Sequence, residues 1–575
     1  MSAQELREKF IDFFKSRGHA VVPSSSLISD DPTVLLTTAG MQQFKKYYLG
    51  ERSALDDFGS RNAVSIQKCF RTTDIEEVGD ERHLTFFEML GNFSFGGYFK
   101  REAIYYAYDF LTKELGLKID YVTIFDPEKV PGGDWRKEVP FDYESFSIWQ
   151  ELGLPEEKIR REGIDNFWGP PGTEGPCGPT TEIFVKGIEV WNLVFNEYYA
   201  TSEKKLKKLG EPGVDTGSGL ERLLAVKNGF GDVFEIDTLA PLLAEVEKIK
   251  PGLDLRIKKI LADHLRGSAF LIAEGLRPSN KEAGYILRRL LRRIVAYQIR
   301  FDIHADIFSI ATARLQAIFQ AAYPDLLASE IFPVMEMERD KFESALSKGF
   351  KELGRYEEMT AADAFYLYET YGLPFEVMKE MSPAAKDIRK EDFEAEFEKH
   401  REISRVGAEE KFGGHGLTDE NQNGAEREKI MRLHTATHLL QAGLRKILGP
   451  EVEQGGSDIT PERLRFDFSF NRKLTDEELK EVEIWVNGVI NEDWPVSFIV
   501  LPIEEAKKTG ALFFFKEKYP EMVKVYFIGP SFEEAISKEF CGGPHVARTG
   551  EIGRFRIIKE ESAGAGLRRI RGVIE

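Results

Sequence analysis

A long helical pattern in the middle of the chain constrains the fold more than any other feature. Residues 242–410 carry apolar side chains at a spacing near 3.6 and contain few turn signals, which predicts consecutive helices. Residues 1–241 and 430–575 instead mix short alternating strands, helices and Gly/Pro turns, and a polar, Gly-rich stretch at 411–429 predicts a linker. We therefore predict an α+β multidomain fold, which suits a chain of 575 residues.

Composition excludes several classes of protein. The chain has 78 Lys and Arg against 97 Asp and Glu, a net charge of −19, which excludes a generally basic nucleic-acid coat but not a local basic face. No apolar run approaches the roughly 18 residues that cross a bilayer, and the charged N-terminus has no signal-peptide core. The three cysteines, Cys69, Cys177 and Cys541, are too few for a disulfide framework. We expect a cytoplasmic protein without a membrane partner.

Two segments joined by a polar loop predict an antiparallel strand pair with arginines near its connection. Residues 61–71 alternate apolar and polar side chains and end in Arg71, and an aromatic-rich strand follows the loop that contains Arg82. Arginine suits a phosphate because its planar guanidinium donates two hydrogen bonds at once and stays charged. The pattern indicates either a phosphate site or a surface hairpin with solvated arginines.

A further strand, residues 188–199, has the composition of a pocket floor. One face carries large apolar side chains, and the other alternates amides with small apolar residues. The members of that second face are Val190, Asn192, Val194 and Asn196. The segment that follows, GVDTGSGLER, predicts a tight Gly-rich turn before a helix with Glu221 and Arg222, and Gly217 and Gly219 allow a ligand to approach the backbone. The alternative is a half-exposed strand without a ligand.

Two short motifs far apart in sequence have the composition of a metal site. His434 and His438 lie at i and i+4 of a predicted helix, and Cys541 and His545 flank a Gly-Pro turn. Three imidazoles and one thiolate form a plausible tetrahedral zinc set. The alternative is a packed helix with incidental histidines. The motif is not that of a metalloprotease, because Thr435 stands where the catalytic Glu would be.

A basic run lies on one predicted helix of the middle region. Arg288, Arg289, Arg292 and Arg293 occur at helical spacing with no acid among them. On an acidic protein this run predicts a local RNA-binding patch. The alternative is that these arginines pair with acids elsewhere in the fold.

Long segments throughout the chain resemble the alanyl-tRNA synthetases, a family of class II aminoacyl-tRNA synthetases. These segments are SSSLISDDPTVLLTTAGMQQFK, RHLTFFEMLGNFSFGGYFK, DNFWGPPGTEGPCGPTTEIF, VDTGSGLER, AGYILRRLLRRI, HTATHLL, LRFDFS and CGGPHVARTGEIG. The resemblance implies a catalytic core at 1–241 with a long antiparallel sheet, a helical domain for the tRNA acceptor stem at 242–410, and a zinc-containing editing domain at 430–575. It places motif 1 in the segment through Pro32, motif 2 around Arg71 and Phe87, and motif 3 from Asp215 to Arg222.

The resemblance also implies roles for single residues, with ATP and Mg²⁺ as cosubstrate. Arg71 is similar to the arginine that holds the α-phosphate, and Phe87 and Arg222 to the pair that sandwiches adenine. Asp215 is similar to the carboxylate that receives the alanine ammonium group. The implied walls around the alanine carboxylate and methyl are Trp168, Asn192, Val194 and Gly217. The implied function is an alanine–tRNA ligase.

For the last domain, the resemblance implies hydrolysis of tRNA charged with serine or glycine. His434, His438, Cys541 and His545 match the family's zinc ligands, and Thr437, Gln454 and Cys541 match its editing positions. Such a second site is expected because one missing methyl group changes binding by only about 1–3 kcal/mol. The basic run at 288–293 falls in the family's tRNA-binding region.

Some positions depart from the family's usual pattern. Ile299, beside Gln298, stands where an Asn commonly reads the G·U pair of the acceptor stem, and Thr180 and Pro544 replace the more usual Cys and Thr. Glu376 is a candidate for a second family acid. The chain stops at Glu575 without the usual dimerising extension, so we expect a monomer.

Two rival functions remain open, a non-catalytic tRNA-binding relative and a stand-alone editing deacylase. The presence of Arg71, Asp215 and Arg222 favours the ligase over both.

Overall fold

The computed structural model describes residues 1–29, 34–170, 172–328, 330–399, 424–513, 522–564 and 567–575. The chain forms two compact units, Met1–Phe393 and Glu394–Glu575. The domain boundary predicted at 241/242 falls inside the first unit and stays a prediction. Pro32 and residues 411–423 of the predicted linker lie outside the described residues. Residues 424–429 of that linker instead begin a helix, because Ala, Glu, Arg and Lys are strong helix formers.

The first unit is built on one mixed sheet of nine strands. Its strands are β1 (Ala20–Val21), β2 (Asn62–Phe70), β3 (Phe86–Phe95), β4 (Tyr121–Phe125), β5 (Ile159–Glu162), β6 (Phe167–Trp168), β7 (Gly175–Val185), β8 (Ile188–Ala200) and β9 (Leu206–Gly219). The order is β1-β2-β3-β9-β8-β7-β4-β5, with β6 paired to β7. The outer pairs β1–β2 and β4–β5 are parallel and all others are antiparallel, which confirms the predicted antiparallel core.

The Gly-rich segment before Glu221 corrects the sequence prediction. The predicted tight turn is the end of β9, which runs straight into a helix at Leu220. Its glycines are needed for close packing: a Cβ on Gly213 would lie 2.5 Å from the Tyr48 ring, and one on Gly217 would lie 2.9 Å from Met89 Sδ. Pairing with β3 on one side and β8 on the other keeps the segment extended.

Helices alternate with the strands of this sheet, and a run of consecutive helices follows β9. They are α1 (Ala3–Lys15), α2 (Lys45–Tyr48), α3 (Ala54–Phe58), α4 (Lys100–Asp109), α5 (Tyr143–Glu151), α6 (Leu220–Asn228), α7 (Ala240–Ile249), α8 (Leu255–Ala273), α9 (Glu282–Arg300), α10 (Ile307–Phe319), α11 (Ile331–Leu353), α12 (Ala361–Tyr371) and α13 (Phe375–Met381). The predicted helical pattern is confirmed from α7 to α13. α8 packs on the sheet, where Phe270 stacks on Phe86 with ring centroids 3.8 Å apart.

The second unit contains two antiparallel sheets and two long helices. Its elements are α14 (Gly424–Leu448), β10 (Gln454–Thr460), β11 (Arg463–Ser469), α15 (Asp476–Asn491), β12 (Val496–Pro502), α16 (Ile503–Ala506), β13 (Met522–Ile528), β14 (Ser537–Phe540), β15 (Phe555–Gly564) and β16 (Leu567–Ile574). One sheet has the order β10-β11-β16-β15 and the other β12-β13-β14. Apolar residues of α14, such as Leu433 and Leu440, form one core with Val486 of α15 and Phe466 of β11. This unit confirms the predicted alternation of helices and strands.

Within these described ranges, none of the helices combines the length and the apolar character needed to span a bilayer.

Candidate active site and metal centre

A cavity of about 310 Å³ in the first unit collects all eight residues predicted for ATP and the amino acid. They are Arg71, Phe87, Trp168, Asn192, Val194, Asp215, Gly217 and Arg222. The sheet brings them together: Asp215 of β9 pairs with Val194 of β8, and Gly217 pairs with Asn192. Arg71 directly follows β2, Phe87 lies in β3 and Arg222 in the first turn of α6. Segments that are far apart in sequence, from Arg71 to Arg222, therefore line one pocket.

Asp215 is a buried carboxylate for which the described residues provide no ion-pair partner. Its exposed fraction is 7%, and burial raises the pKa of its carboxyl to about 7. In the described part of the chain no basic side chain forms an ion pair with it. Because an unpaired buried carboxylate is costly, this position favours a ligand that brings its own positive charge.

The neighbouring walls leave room only for a small group. Val194 is buried, and Met89 fills the space that a side chain at position 217 would need. The Met89 sulfur is itself held by the backbone N–H of Gly40, at 3.3 Å. Asn192 donates from Nδ2 to Glu182 Oε1 at 3.2 Å, while its buried Oδ1 has no hydrogen-bond partner among the described residues. This oxygen is available to an N–H group in the cavity.

The cationic and aromatic groups of the same cavity lie on neighbouring elements. The guanidinium of Arg71 lies 4.8 Å from the centroid of the Phe87 ring, and its backbone N–H donates to the Thr85 carbonyl at 2.9 Å. No ion pair engages the Arg71 side chain in the described ranges. Arg222 donates from Nη1 to Glu189 Oε2 at 3.3 Å, and both side chains are about one-third exposed. Arg71 is thus free to meet an anion.

The sequence prediction did not single out two residues that shape this cavity. Met89 shares a strand face with Phe87 at i+2, and Glu182 is the cross-strand partner of Asn192. Burial and the nearby Glu189 raise the pKa of Glu182 to about 7. The strand period of two was the signal that could have found Met89. The register that places Glu182 opposite Asn192 could not be read from either segment alone.

The second unit brings the four predicted metal ligands together. One ligand atom from each of His434, His438, Cys541 and His545 lies within 4.8 Å of the others. The Cys541 sulfur is 3.3 Å from Nε2 of His434 and 3.3 Å from Nε2 of His545. Two turns of α14 and the loop after β14 therefore form one cluster of three imidazoles and a thiol, a donor set that fits a tetrahedral metal.

The outer nitrogens of two imidazoles are hydrogen-bonded, and that of the third lies near a carboxylate. His434 Nδ1 lies 3.1 Å from the Pro544 carbonyl, which only accepts, so this nitrogen donates. Thr435 donates its hydroxyl to Met431, so it accepts from His545 Nδ1 at 3.2 Å. His438 Nδ1 lies 3.6 Å from a Glu539 carboxylate oxygen. For His434 and His545 these contacts leave Nε2 with its lone pair toward the cluster, as metal ligands require.

Of the two other predicted editing residues, one lies on the helix that carries two of the cluster's histidines and the other on a strand of the same unit. Thr437 precedes His438 in α14 and is buried, with its hydroxyl donating to the Leu433 carbonyl at 2.9 Å. Gln454 opens β10 and donates from Nε2 to Ser457 Oγ at 3.0 Å.

For the basic run on α9, the structure favours the alternative of pairing with acids. Arg288 and Arg293 are buried, with exposed fractions of 6% and 0%, and are not available as a surface patch. The run is held by groups of the first unit: Arg288 by Glu338, Arg289 by Glu76 and Glu376, Arg292 by the Phe342 ring, and Arg293 by Glu380 and the Ile75 carbonyl. Local pattern analysis could not find these acids, because they lie 50 to 213 residues away in sequence. Contact of this run with RNA stays untested.

Two family profiles match this chain, one in each part of the sequence. The family profile "tRNA synthetases class II (A)" matches residues 5–441, and that of the "Threonyl and Alanyl tRNA synthetase second additional domain" matches residues 523–571. The chain is 42% identical to the alanine–tRNA ligase of Treponema denticola, over all of this chain and 99% of that protein. The chain belongs to the alanine–tRNA ligase family. The first profile covers the residues of the cavity and, separately, the metal-cluster residues His434 and His438. The second profile covers the other two cluster residues, Cys541 and His545.

Other relatives in the family differ in length. The alanine–tRNA ligase of Borrelia hermsii is 39% identical and is covered over its whole length. That of Rubrobacter xylanophilus is 35% identical over 99% of this chain, but only 78% of its own length is matched. Both comparisons extend across the two units.

Proposed function

We propose that the protein joins alanine to the 3′ end of tRNA(Ala) and hydrolyses wrongly charged tRNA in its second unit. The observation that carries this proposal is Asp215, a buried carboxylate without a cation in the described chain, in the same cavity as Arg71 and Arg222. An amino acid supplies the missing ammonium group, and ATP supplies the phosphates that arginine binds. The curated relatives, named as alanine–tRNA ligases, support alanine as the amino acid.

The first reaction joins alanine to AMP. A carboxylate oxygen of alanine attacks the α-phosphorus of ATP, the bond to the bridging oxygen breaks, and pyrophosphate leaves. Arg71 neutralises charge on the α-phosphate, and Phe87 and Arg222 hold adenine between them. Mg²⁺ bound with ATP would supply further neutralising charge. No side-chain nucleophile is required, because positioning and charge neutralisation carry phosphate chemistry of this kind.

The second reaction transfers alanine to tRNA. A hydroxyl of the terminal ribose attacks the carbonyl carbon of the alanyl adenylate, and AMP leaves with the bonding electrons. Asp215 keeps the ammonium group in place throughout, while Trp168, Val194 and Gly217 enclose the methyl group. Asn192 offers its unpaired oxygen to the same ammonium.

The small pocket explains why a second reaction is needed. Excluding larger amino acids by size leaves glycine inside, since one methyl group contributes only about 1–3 kcal/mol. Serine adds one hydroxyl and is also difficult to reject. We infer that the second unit removes glycine and serine from tRNA.

We infer that His434, His438, Cys541 and His545 hold one Zn²⁺ ion there. The three imidazoles and one thiol, with outer nitrogens held by a carbonyl and a hydroxyl, support zinc over a hard oxygen-seeking cation. When bound, the ion would hold α14 to the loop after β14, with the four protein donors completing its tetrahedral coordination. Thr437 and Gln454 would then orient the aminoacyl end of the tRNA.

Pyrophosphate exchange tests the charging reaction. The purified chain, with ATP, Mg²⁺ and labelled pyrophosphate, should form labelled ATP when alanine is present, and more slowly with glycine or serine. Adding tRNA(Ala) should yield Ala-tRNA. Exchange that does not depend on alanine, or none at all, would overturn the proposal.

A further inference from the structure

The loop between β2 and β3, residues 71–85, carries much of the phosphate end of the cavity. Arg71, Asp74 and Arg82 line the cavity from this loop. Connections of this length are usually mobile surface segments, yet phosphoryl transfer requires its charged groups to be placed within fractions of an ångström. Here Ile75 and Val78 of the loop are fully buried. Something outside the loop must therefore fix its path.

We propose that Arg293, acting through His264 and Asp263, is a positioning residue that clamps both ends of this loop for ATP binding. The inference rests on the proposed function, because the loop is the one that presents Arg71 to ATP.

A continuous chain of hydrogen bonds joins the two ends. Arg293 of α9 donates from Nη1 to the Ile75 carbonyl at 2.6 Å and to His264 Nε2 at 3.2 Å. His264 Nδ1 lies 3.0 Å from Asp263 Oδ2. Asp263 accepts from the Thr85 N–H at 2.9 Å and from the Thr85 hydroxyl at 2.6 Å.

The donors and acceptors in this chain are unambiguous. A guanidinium only donates, so His264 Nε2 accepts from Arg293. Nδ1 of His264 therefore carries the proton and donates a hydrogen bond to Asp263. Burial and the nearby Arg293 charge lower the pKa of His264 to about 4, which agrees with a neutral ring. Asp263, His264 and Arg293 each have an exposed fraction of 0%. Nε of Arg293 is buried without a hydrogen-bond partner among the described residues, but every link from the Ile75 carbonyl to Thr85 is made. A buried network that is continuous in this way restrains the residues it joins.

The last residue of this hydrogen-bond series, Thr85, contacts Arg71 directly. The carbonyl of Thr85, the last residue of the loop, accepts the backbone N–H of Arg71 at 2.9 Å. Asp263 thus fixes the residue on which the Arg71 backbone rests, while Arg293 fixes Ile75 four positions later. Because α8 and α9 carry all three side chains, the helical region supports the geometry of the ATP site.

This role differs from the RNA contact predicted for Arg293 from sequence, and kinetics separates the two. The assay is alanine-dependent pyrophosphate exchange without tRNA, and the test variants are Arg293→Ala and Arg293→Lys. The matched control is Arg300→Ala, because Arg300 is an exposed arginine of the same helix. Arg293→Ala should lower kcat/KM for ATP by about 10- to 100-fold, because misplacing a charged group by about 1 Å has effects of that size. The KM for alanine should stay near that of the unaltered protein. Lysine should restore part of the loss, since it can donate to some of the three acceptors of Arg293, which are the Ile75 carbonyl, His264 Nε2 and Glu380. Arg300→Ala should behave as the unaltered protein.

A second variant covers the case in which Arg293→Ala does not fold. Thr85→Val removes only the hydroxyl bond to Asp263 and preserves shape, and it should raise the KM for ATP or lower kcat in the same direction by a smaller factor. Normal ATP kinetics in Thr85→Val, or normal exchange with impaired tRNA charging in Arg293→Ala, would overturn the clamp. Failure of the unaltered protein to exchange would instead count against the proposed function.

Discussion

At Asp215 the fold buries a carboxyl group, and we propose that the ammonium group of the ligand is its partner. Asp215→Asn keeps the size and removes the charge, so the alanine ammonium would enter the cavity unneutralised. We expect kcat/KM for alanine in pyrophosphate exchange to fall about 30-fold or more, since losing one partner of a buried charge pair costs roughly 2–5 kcal/mol. The KM for ATP should change far less. Equal loss for both substrates would remove Asp215 from the amino-acid site.

The raised pKa of Asp215 also predicts how alanine binding depends on pH. Below its pKa of about 7 the carboxyl is protonated and no longer neutralises an ammonium group. The KM for alanine should therefore rise as the pH falls through 7, approaching a tenfold rise per unit on the acid side. Glu182 and Glu221 in the same cavity also have pKa values raised to about 7 by burial, so Asp215→Asn is the necessary control. A pH profile that is unchanged in this variant would assign the titration to those acids.

At the scale of the strand, β9 uses a glycine to make space beside Met89. Gly217→Ala places a Cβ 2.9 Å from the Met89 sulfur, and the methionine must shift. Overpacking of this kind costs about 1–3 kcal/mol, so we expect kcat/KM for alanine to fall about tenfold, with glycine less affected because it is smaller. Gly210→Ala in the same strand meets no atom within 4 Å and is the matched control. Equal losses for alanine and glycine would contradict a steric effect at the methyl group.

The strands and helices differ in how far local sequence determines them. Alternation located β2 and β8, and apolar spacing located α7 to α13, because each pattern reports the face that the element buries. Aromatic-rich composition located β3. The Gly-rich end of β9 was mistaken for a turn, since glycine's local preference is overruled there by pairing with β3 and β8.

Local sequence also fails to show which partners the charged residues meet. The Arg run on α9 has the composition of an RNA patch, and only the folded chain shows that Glu338, Glu76 and Glu380 meet it. His434, His438, Cys541 and His545 were grouped correctly because imidazole and thiol pairs at ligand spacing are rare in a chain with few of either. The contacts of Pro544 and Thr435 with the outer ring nitrogens needed the tertiary structure.

At the scale of the whole molecule, all four residues of the proposed metal site lie in the second unit. We expect about one equivalent of zinc per chain by elemental analysis, since four donors complete a tetrahedral site. Cys541→Ala should lose the metal, whereas Cys177→Ala, which removes a buried thiol of the first unit, should retain it. Retention of a full equivalent in Cys541→Ala would show that the ion is held elsewhere.

The central claim is that charging and editing are performed by separate units of one chain. Its most direct test measures alanine-dependent pyrophosphate exchange and hydrolysis of Ser-tRNA(Ala) side by side in Arg71→Ala and Cys541→Ala. We predict that Arg71→Ala loses exchange by about 100-fold or more while hydrolysing Ser-tRNA(Ala) normally, because transition-state charge on the phosphate goes unmatched. Cys541→Ala should show the reverse, with normal exchange and lost hydrolysis. A parallel fall of both activities in either folded variant would contradict the account.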